Sequence, residues 1–447
     1  MRPYRVAFGK TEPYVFAKKP YLSTMPHTDI LIIGAGASGL LSARELARAG
    51  KNVCLLEARD RIGGRMHTIA DAAFGRPVEL GAEFIHGHLP VSLALVEEYG
   101  LAHPTVEGEF WTADKGHFHA SHNYLEGADL LEMVLRQLKH DLPLDDFLAT
   151  YLGGPELAHL RHEARRFAQG YDAADTAKAS TQAFKEEWLS TDAGEQYRLA
   201  NGYHALADAL ANDIGQHNGE IHLNTVAKTI HWQPGRVEVT TAEGTAYTAK
   251  QLLVTVPLGV WLAPPEARAH IAFDPPLPEK MEAARQMGYG HVVKIILRFD
   301  AAFWRQAVPG PVCFLFSQEA IPTWWTQDTG DTPVLTGWIG GPDAEEMAHT
   351  HPDAVLNLAM GSLQNLFPQE TGLRGRLRAQ HISGWSVDPF ALGAYSYATV
   401  NGEYHKAKLA APVADTLFFA GEALHTGGTV EAALASGQET ARRMLHA

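Results

Sequence analysis

Three glycines in the hexapeptide GAGASG, Gly34, Gly36 and Gly39, are spaced for phosphate chemistry. In such a loop the first glycine permits a tight turn. The second lets a pyrophosphate reach the backbone, and the third lets a helix pack closely on a strand. The free N–H groups and positive dipole end of that helix favour an anion. Glu57 follows a second apolar run, NVCLL, where its carboxylate is placed to accept hydrogen bonds from ribose hydroxyls. The segment RDRIGGR adds Arg59, Gly64 and Arg65 nearby. Its paired glycines make a tight loop beside the same phosphates. Arg65 would clamp them with its planar fork of donors; the alternative is a surface turn with a solvated arginine. Together these residues indicate dinucleotide binding.

Lys294 raises a different question, because it interrupts the strand-like run HVVKIILRF. On an edge strand a lysine lays its methylenes on apolar surface and keeps its head in water. On an inner strand the ammonium must enter a polar pocket, because an isolated buried cation is costly. Near the end of the chain, TLFFAGEALHTGGTVEAALASG supplies Gly421, Glu422, Thr429 and Val430. A strand ends at Gly421 and a long helix opens at Thr429. A second helix N-terminus facing the cofactor suits a flavin, whose N1–C2=O edge gathers negative charge on reduction.

The elements that must position these groups follow from periodicity. Residues 29–33 read as a buried strand, 40–47 as a helix ended by Gly50, and 52–58 as the next strand. This βαβ unit signals a parallel, doubly wound sheet. From about 128 to 188 the pattern is helical, and Pro155 suits a first helical turn. Strand patterns follow in TVAKTIHW, RVEVTTAEG, QLLVTVP, HVVKIILRF, PVCFLFS and PVLTGWIGG, and a last helix covers 430–446. The expected fold is α/β: a discontinuous Rossmann-like domain in segments 29–90, 195–262 and 385–447. An α+β substrate domain of helices and mixed sheet is inserted as 91–194 and 263–384.

The chain has 447 residues, 46% hydrophobic and 20% charged, with a formal charge of −14. That balance disfavours a nucleic-acid scaffold and suits cationic substrates only weakly. Two cysteines in apolar contexts give no disulfide framework, so a reducing, cytoplasmic setting is expected. The apolar stretch LLVTVPLGVWLA is broken by Pro257 and Gly259, so no membrane span is expected. Residues 1–28 are basic and aromatic-rich without an export signal, and read as an extension; Met25 is an alternative start.

The blocks GAGASG…E…RDRIGGR, VELGAEFIHG, LLVTVPLGVW, MGYGHVVKIILRF, GWSVDPFALGAYSY and FAGEALHTGGTVEAALASG together resemble the flavin-containing amine oxidase family. The resemblance runs from about residue 29 to the C-terminus. It implies non-covalent FAD held by Gly34, Gly36, Gly39, Glu57, Arg59, Gly64 and Arg65. Gly81, Ala82, Glu83 and Phe84 would run along the flavin, and the Val226 backbone would meet adenine. Gly421, Glu422, Thr429 and Val430 would complete the site. Lys294 matches the family's lysine that holds a water against flavin N5.

Within the family, Ala394 stands where monoamine oxidases carry their flavin-linked cysteine, and Thr429 replaces one of their two facing tyrosines. Tyr395 matches the other, and Trp385 with Trp324 or Trp325 would build a different wall. No arginine stands in GAEFIHG to take an amino-acid carboxylate. LGAEFIHG instead resembles polyamine oxidases, with His86 meeting a substrate nitrogen and Phe84 beside it. Asp172, Asp175, Glu186 and Glu187 are either a solvated helix face or a site for a distal ammonium. The histidines of HFHASH, at 117, 119 and 122, read as a solvent-facing turn before a zinc site.

The expected activity is oxidation of an amine to an imine, hydrolysis to an aldehyde, and reoxidation by O2 to H2O2. Partners would be the amine and O2, with no nucleic acid or membrane, in a monomer or homodimer. A flavin-dependent C–C desaturase and a non-catalytic flavoprotein are the alternatives.

Overall fold

The computed structural model describes residues 28–121, 127–190, 195–327 and 332–447. Most of the extension at 1–28 and His122 therefore lie outside the described residues. Two large sheets organise the rest. In the first, Thr28–Ile33 pairs in parallel with Val53–Leu56 on one side and Ala246–Val254 on the other. Glu220–His222 extends it beyond Val53–Leu56, and Leu417–Phe419 joins in parallel to Ala246–Val254. The antiparallel strands Ala227–Gln233 and Arg236–Thr241 continue the other edge, and the sheet has eight strands among the described residues. Ala272–Asp274, which falls in the segment 263–384, pairs with Ala227–Gln233 and so belongs to this sheet.

Thr28–Ile33 runs into the helix Ala37–Arg48 through the glycine loop. Gly34 has φ +102°, a conformation that glycine adopts at least cost. A Cβ at Gly39 would stand 2.0 Å from the Gly34 carbonyl oxygen, so the helix can start against the strand only with glycine there. The C-terminal helix Val430–His446 packs along Ala37–Arg48, and Ser42 Oγ donates to the Gly437 carbonyl at 2.9 Å. Both helix N-termini are thereby brought to one end of the sheet.

The second sheet has seven strands among the described residues. Val292–Phe299 lies inside it, antiparallel to Val334–Gly340 on one side and to Leu377–Gly384 on the other. Val293, Ile295, Leu297 and Phe299 enter one hydrophobic cluster; Val292 and Ile296 face the opposite way, as the two-residue period of a strand requires. Lys294 shares that opposite face. The helices Ala128–Leu135, Ala158–Tyr171 and Thr181–Ser190 contribute to the cavity wall, and Leu144–Tyr151 packs behind them. In Ala158–Tyr171, Leu160, Ala164 and Ala168 are buried, which is the apolar face the spacing predicts. Among the described residues no helix is long and apolar enough to cross a membrane.

Candidate active site

A cavity of about 1860 Å³ runs between the two sheets. The glycine loop, Glu57, Arg59, Gly64, Arg65, residues 81–84, His86, Val226, Lys294, Trp385, Tyr395, Gly421, Glu422, Thr429 and Val430 all line it. Gly39 instead sits behind the loop, against Gly34.

At the phosphate end, Glu57 is held by backbone: Oε2 accepts from Ala35 N at 2.8 Å and Oε1 from Arg59 N at 2.9 Å. Its carboxylate is thus oriented before any ribose arrives. Arg65 donates to Glu422 Oε1 at 2.9 Å and to the Ala394 carbonyl. Glu422 Oε2 accepts from Ser396 Oγ at 2.6 Å. The arginine and the glutamate therefore brace one another across the cavity wall. Arg59 pairs with Asp388 and stacks on Phe390. Thr429 caps the C-terminal helix, its Oγ1 accepting from Ala432 N at 3.1 Å.

Two buried polar atoms on this wall, Ser38 Oγ and His425 Nδ1, have no partner within the protein. Space is open beyond the Gly36 Cα. An unpaired hydroxyl and an unpaired ring nitrogen beside two helix N-termini fit the pyrophosphate of a dinucleotide. The residues present therefore suit FAD. Neither cysteine lines the cavity: Cys54 is buried on Val53–Leu56 and Cys313 on Val312–Ser317.

Lys294 is 1% exposed, on a strand paired along both edges. The solvated edge-strand reading is thereby removed. Its Nζ donates to Glu83 Oε2 at 2.6 Å and to the Gly81 carbonyl at 3.1 Å. Glu83 Oε1 accepts from Trp325 Nε1 at 2.9 Å and Gln327 Nε2 at 3.2 Å. Arg198 Nε lies 3.1 Å from the same oxygen, a charge contact in which the N–H is not aimed well enough to count as a hydrogen bond. Burial would raise the Glu83 carboxyl, but the charges of Lys294 and Arg198 outweigh it and hold the group below its usual range. Glu79 lies behind this pair, accepting from Tyr203 N at 2.6 Å and Thr68 Oγ1 at 2.9 Å. Burial pushes it up to about 7.

The other end of the cavity is aromatic. His86 lies between Phe84 and Tyr171, with ring centroids 5.5 and 5.8 Å away. Burial pushes its imidazole down to about 4, so it is neutral near pH 7. Tyr395 donates to the Tyr171 carbonyl at 2.8 Å. Trp385 donates to the Leu80 carbonyl at 3.2 Å. Of the two adjacent tryptophans, Trp325 faces the cavity whereas Trp324 is fully buried in the core of the second sheet.

The four acids of the helical insert separate. Asp172 and Glu187 both line the cavity and hydrogen-bond each other. Burial and the neighbouring carboxyl push Asp172 well up, and burial raises Glu187. Asp175 pairs with Lys178 at 2.8 Å, and Glu186 accepts from Gln182 at 2.7 Å. His117 and His119 stand on the strand His117–Ser121, and His119 borders the cavity. Among the described residues no group of three or more metal-ligating side chains forms.

Sequence reasoning missed Arg198, Gln327 and Glu79, which join the site only through tertiary packing. Ser38 and His425 were visible inside GAGASG and GEALHTGG, but only one unpaired buried atom on each, Oγ and Nδ1, marks them.

The flavin containing amine oxidoreductase family matches residues 37–445. Polyamine oxidase 4 of Oryza sativa subsp. japonica is 31% identical over 461 aligned positions, covering 93% of this chain and 89% of the relative. Polyamine oxidase 2 of Arabidopsis thaliana is 30% identical, covering 91% and 86%. Cyclohexylamine oxidase from Brevibacterium oxydans superposes with a TM-score of 0.77 at 22% identity, covering 94% of this chain and 99% of that one. Putrescine oxidase bound to putrescine gives 0.76 at 20%, covering 94% and 100%. At such identities the superpositions speak for the fold. The cofactor of this oxidoreductase is FAD. By its sequence, its fold and the cavity between its sheets, the chain belongs to the flavin-containing amine oxidoreductases.

Proposed function

We propose that the enzyme oxidises a polyamine or diamine to an imine that water hydrolyses to an aldehyde, with O2 as electron acceptor and H2O2 as product. The observation that carries this reading is the placement of Lys294 and the Asp172–Glu187 pair in the walls of one cavity. FAD, when bound, supplies the two-electron acceptor for oxidation of the C–N bond.

The chain's own groups then have separable tasks. Glu57, Arg65, Ser38 and the two helix N-termini hold the dinucleotide. His86, neutral at working pH, offers a nitrogen lone pair that would orient a substrate nitrogen by accepting a hydrogen bond from it. Phe84, Trp325, Trp385 and Tyr395 exclude water and orient the carbon that is oxidised. Lys294, in the cavity wall, would present a cation to the reducible ring. Asp172 and Glu187 would receive a second ammonium of the same substrate. We assign the FAD-binding domain to 29–90, 195–262 and 385–447, with Ala272–Asp274 added by its pairing. The substrate domain takes 91–194 and the rest of 263–384.

Support comes from the 31% identical polyamine oxidase of rice and from the missing carboxylate-binding arginine in GAEFIHG. The test is anaerobic bleaching of the yellow holoenzyme by putrescine, spermidine, spermine and arylalkylamines, followed by peroxide assay on readmission of air. Bleaching by diamines or polyamines with stoichiometric peroxide is expected. Failure of every amine to bleach the flavin overturns the reading.

A further inference from the structure

Lys294 is not a lone cation but half of a buried ion pair. An ammonium has three N–H donors. Glu83 and the Gly81 carbonyl take two of them, at 2.6 and 3.1 Å. Lys294 also lines the cavity, so one donor is left for whatever binds there. Glu83 in turn is gripped by Trp325 and Gln327, two residues apart on one segment, and by Arg198 from another. Its carboxylate has little freedom, and through it neither does the ammonium.

We propose that Glu83 is a positioning residue for Lys294: it fixes Nζ at the cavity wall and offsets its charge, and so sets both the aim of the third N–H and the positive field felt by bound FAD.

The groups facing the pair are few. Arg198 adds a positive charge and Glu79 stands behind as a second carboxyl; Cys313 is the other titratable neighbour. The indole of Trp325 lies 5.4 Å from Nζ. With Glu83 removed, Lys294 at the cavity wall and Arg198 beside it would lose the carboxylate they share. A positive field favours the reduced flavin, which carries extra negative charge. Loss of Glu83 should therefore favour reduction thermodynamically while slowing it, because the ammonium is no longer aimed.

The inference rests on Lys294 acting at FAD, so the experiment separates the two. E83Q, K294M and the double variant are reconstituted with FAD. The midpoint potential is measured by dye-coupled titration, which needs no amine, and the bleaching rate is measured with an amine that reduces wild type. E83Q should shift the reduction equilibrium about tenfold toward reduced FAD, about 30 mV for a two-electron couple. Bleaching should slow at least tenfold, and E83Q should add nothing to that loss in the K294M background. If E83Q is poorly recovered, the double variant, which leaves no buried lysine unpaired, is compared with K294M alone. An unmoved potential, or equal slowing in both backgrounds, makes Glu83 a strut and overturns the proposal. If K294M itself leaves potential and rate at wild-type values, the reading of Lys294 falls as well.

Discussion

Asp172 and Glu187 hydrogen-bond each other in the cavity wall although one caps the helix Ala158–Tyr171 and the other stands within Thr181–Ser190. Two carboxyls in contact cannot both ionise cheaply. Without a cation between them the pair keeps a proton. An arriving ammonium exchanges for that proton and leaves both oxygens charge-paired, so the site favours a substrate with a second positive end.

Neutralising either acid should therefore discriminate between substrates. D172N and E187Q are expected to lower kcat/KM for putrescine or spermidine by about 10- to 100-fold, the loss of one charge-assisted hydrogen bond. A monoamine of similar length should change by less than about threefold. Equal losses for both substrate types would mean that the pair only holds two helices together.

Replacing the buried lysine is the second case. K294M keeps the unbranched side chain and removes the charge. FAD content, read from the flavin-to-protein absorbance ratio, should remain near wild type. Flavin reduction or reoxidation should slow by about 10²- to 10³-fold, as for removal of one aimed donor. Wild-type stopped-flow rates in both half-reactions would return Lys294 to a packing role. E83Q, argued above, belongs to the same series.

Arg65 and Glu422 give a third prediction. They meet at 2.9 Å on the cavity wall, Glu422 5% exposed. Removing Glu422 takes the charge partner from Arg65, whose side chain is 24% exposed on the cavity wall. E422A should weaken FAD binding to the apoprotein at least tenfold in a fluorescence-quenching titration, because Arg65 loses its brace. E422Q keeps the Ser396 hydrogen bonds and should recover part of the loss. Tight FAD binding by E422A would show that Arg65 is held well enough by the Ala394 carbonyl.

What the sequence disclosed divides along a physical line. Local chemistry was legible: a glycine with φ +102° and a glycine that lets a helix touch a strand leave their mark in GAGASG, and the last helix was bounded at 430–446 by the same periodicity that buries it. The lysine in HVVKIILRF was legible as an anomaly, since an ammonium among valines needs a partner. Its partner was not. Glu83 was read only as a cofactor-wall residue, because nothing local says that Trp325, Gln327 and Arg198 converge on it. Equally, Trp324 and Trp325 could not be separated until strand alternation was fixed by pairing with Val334–Gly340. The four acids of the helical insert were indistinguishable by type; only packing put Asp172 against Glu187 and left Asp175 with Lys178.

Glu79 supplies the last prediction, a dependence of stability on pH. Burial raises its carboxyl from an ordinary value of 4.5 to about 7 in the folded chain. The folded state thus binds this proton more tightly than the unfolded state does. That contribution is full below about pH 4.5, is lost as pH rises through about 7, and is constant above. Its span is about 3 kcal/mol. Asp172 and Glu187 slope the same way. His67 and His86, both pushed down to about 4 by burial, act oppositely: their contribution is full above about 6.5 and is lost as pH falls toward 4. The net curve therefore mixes signs, and the difference between wild type and E79Q isolates one group. In urea unfolding of the apoprotein from about pH 5 to 8.5, wild type should lose stability relative to E79Q as pH rises. The difference between the two curves should change most steeply between about pH 5 and 6.5 and level off above about 7. A pH-independent gap would mean that Glu79 is ionised throughout and that the charge of Lys294 reaches it more strongly than its burial does.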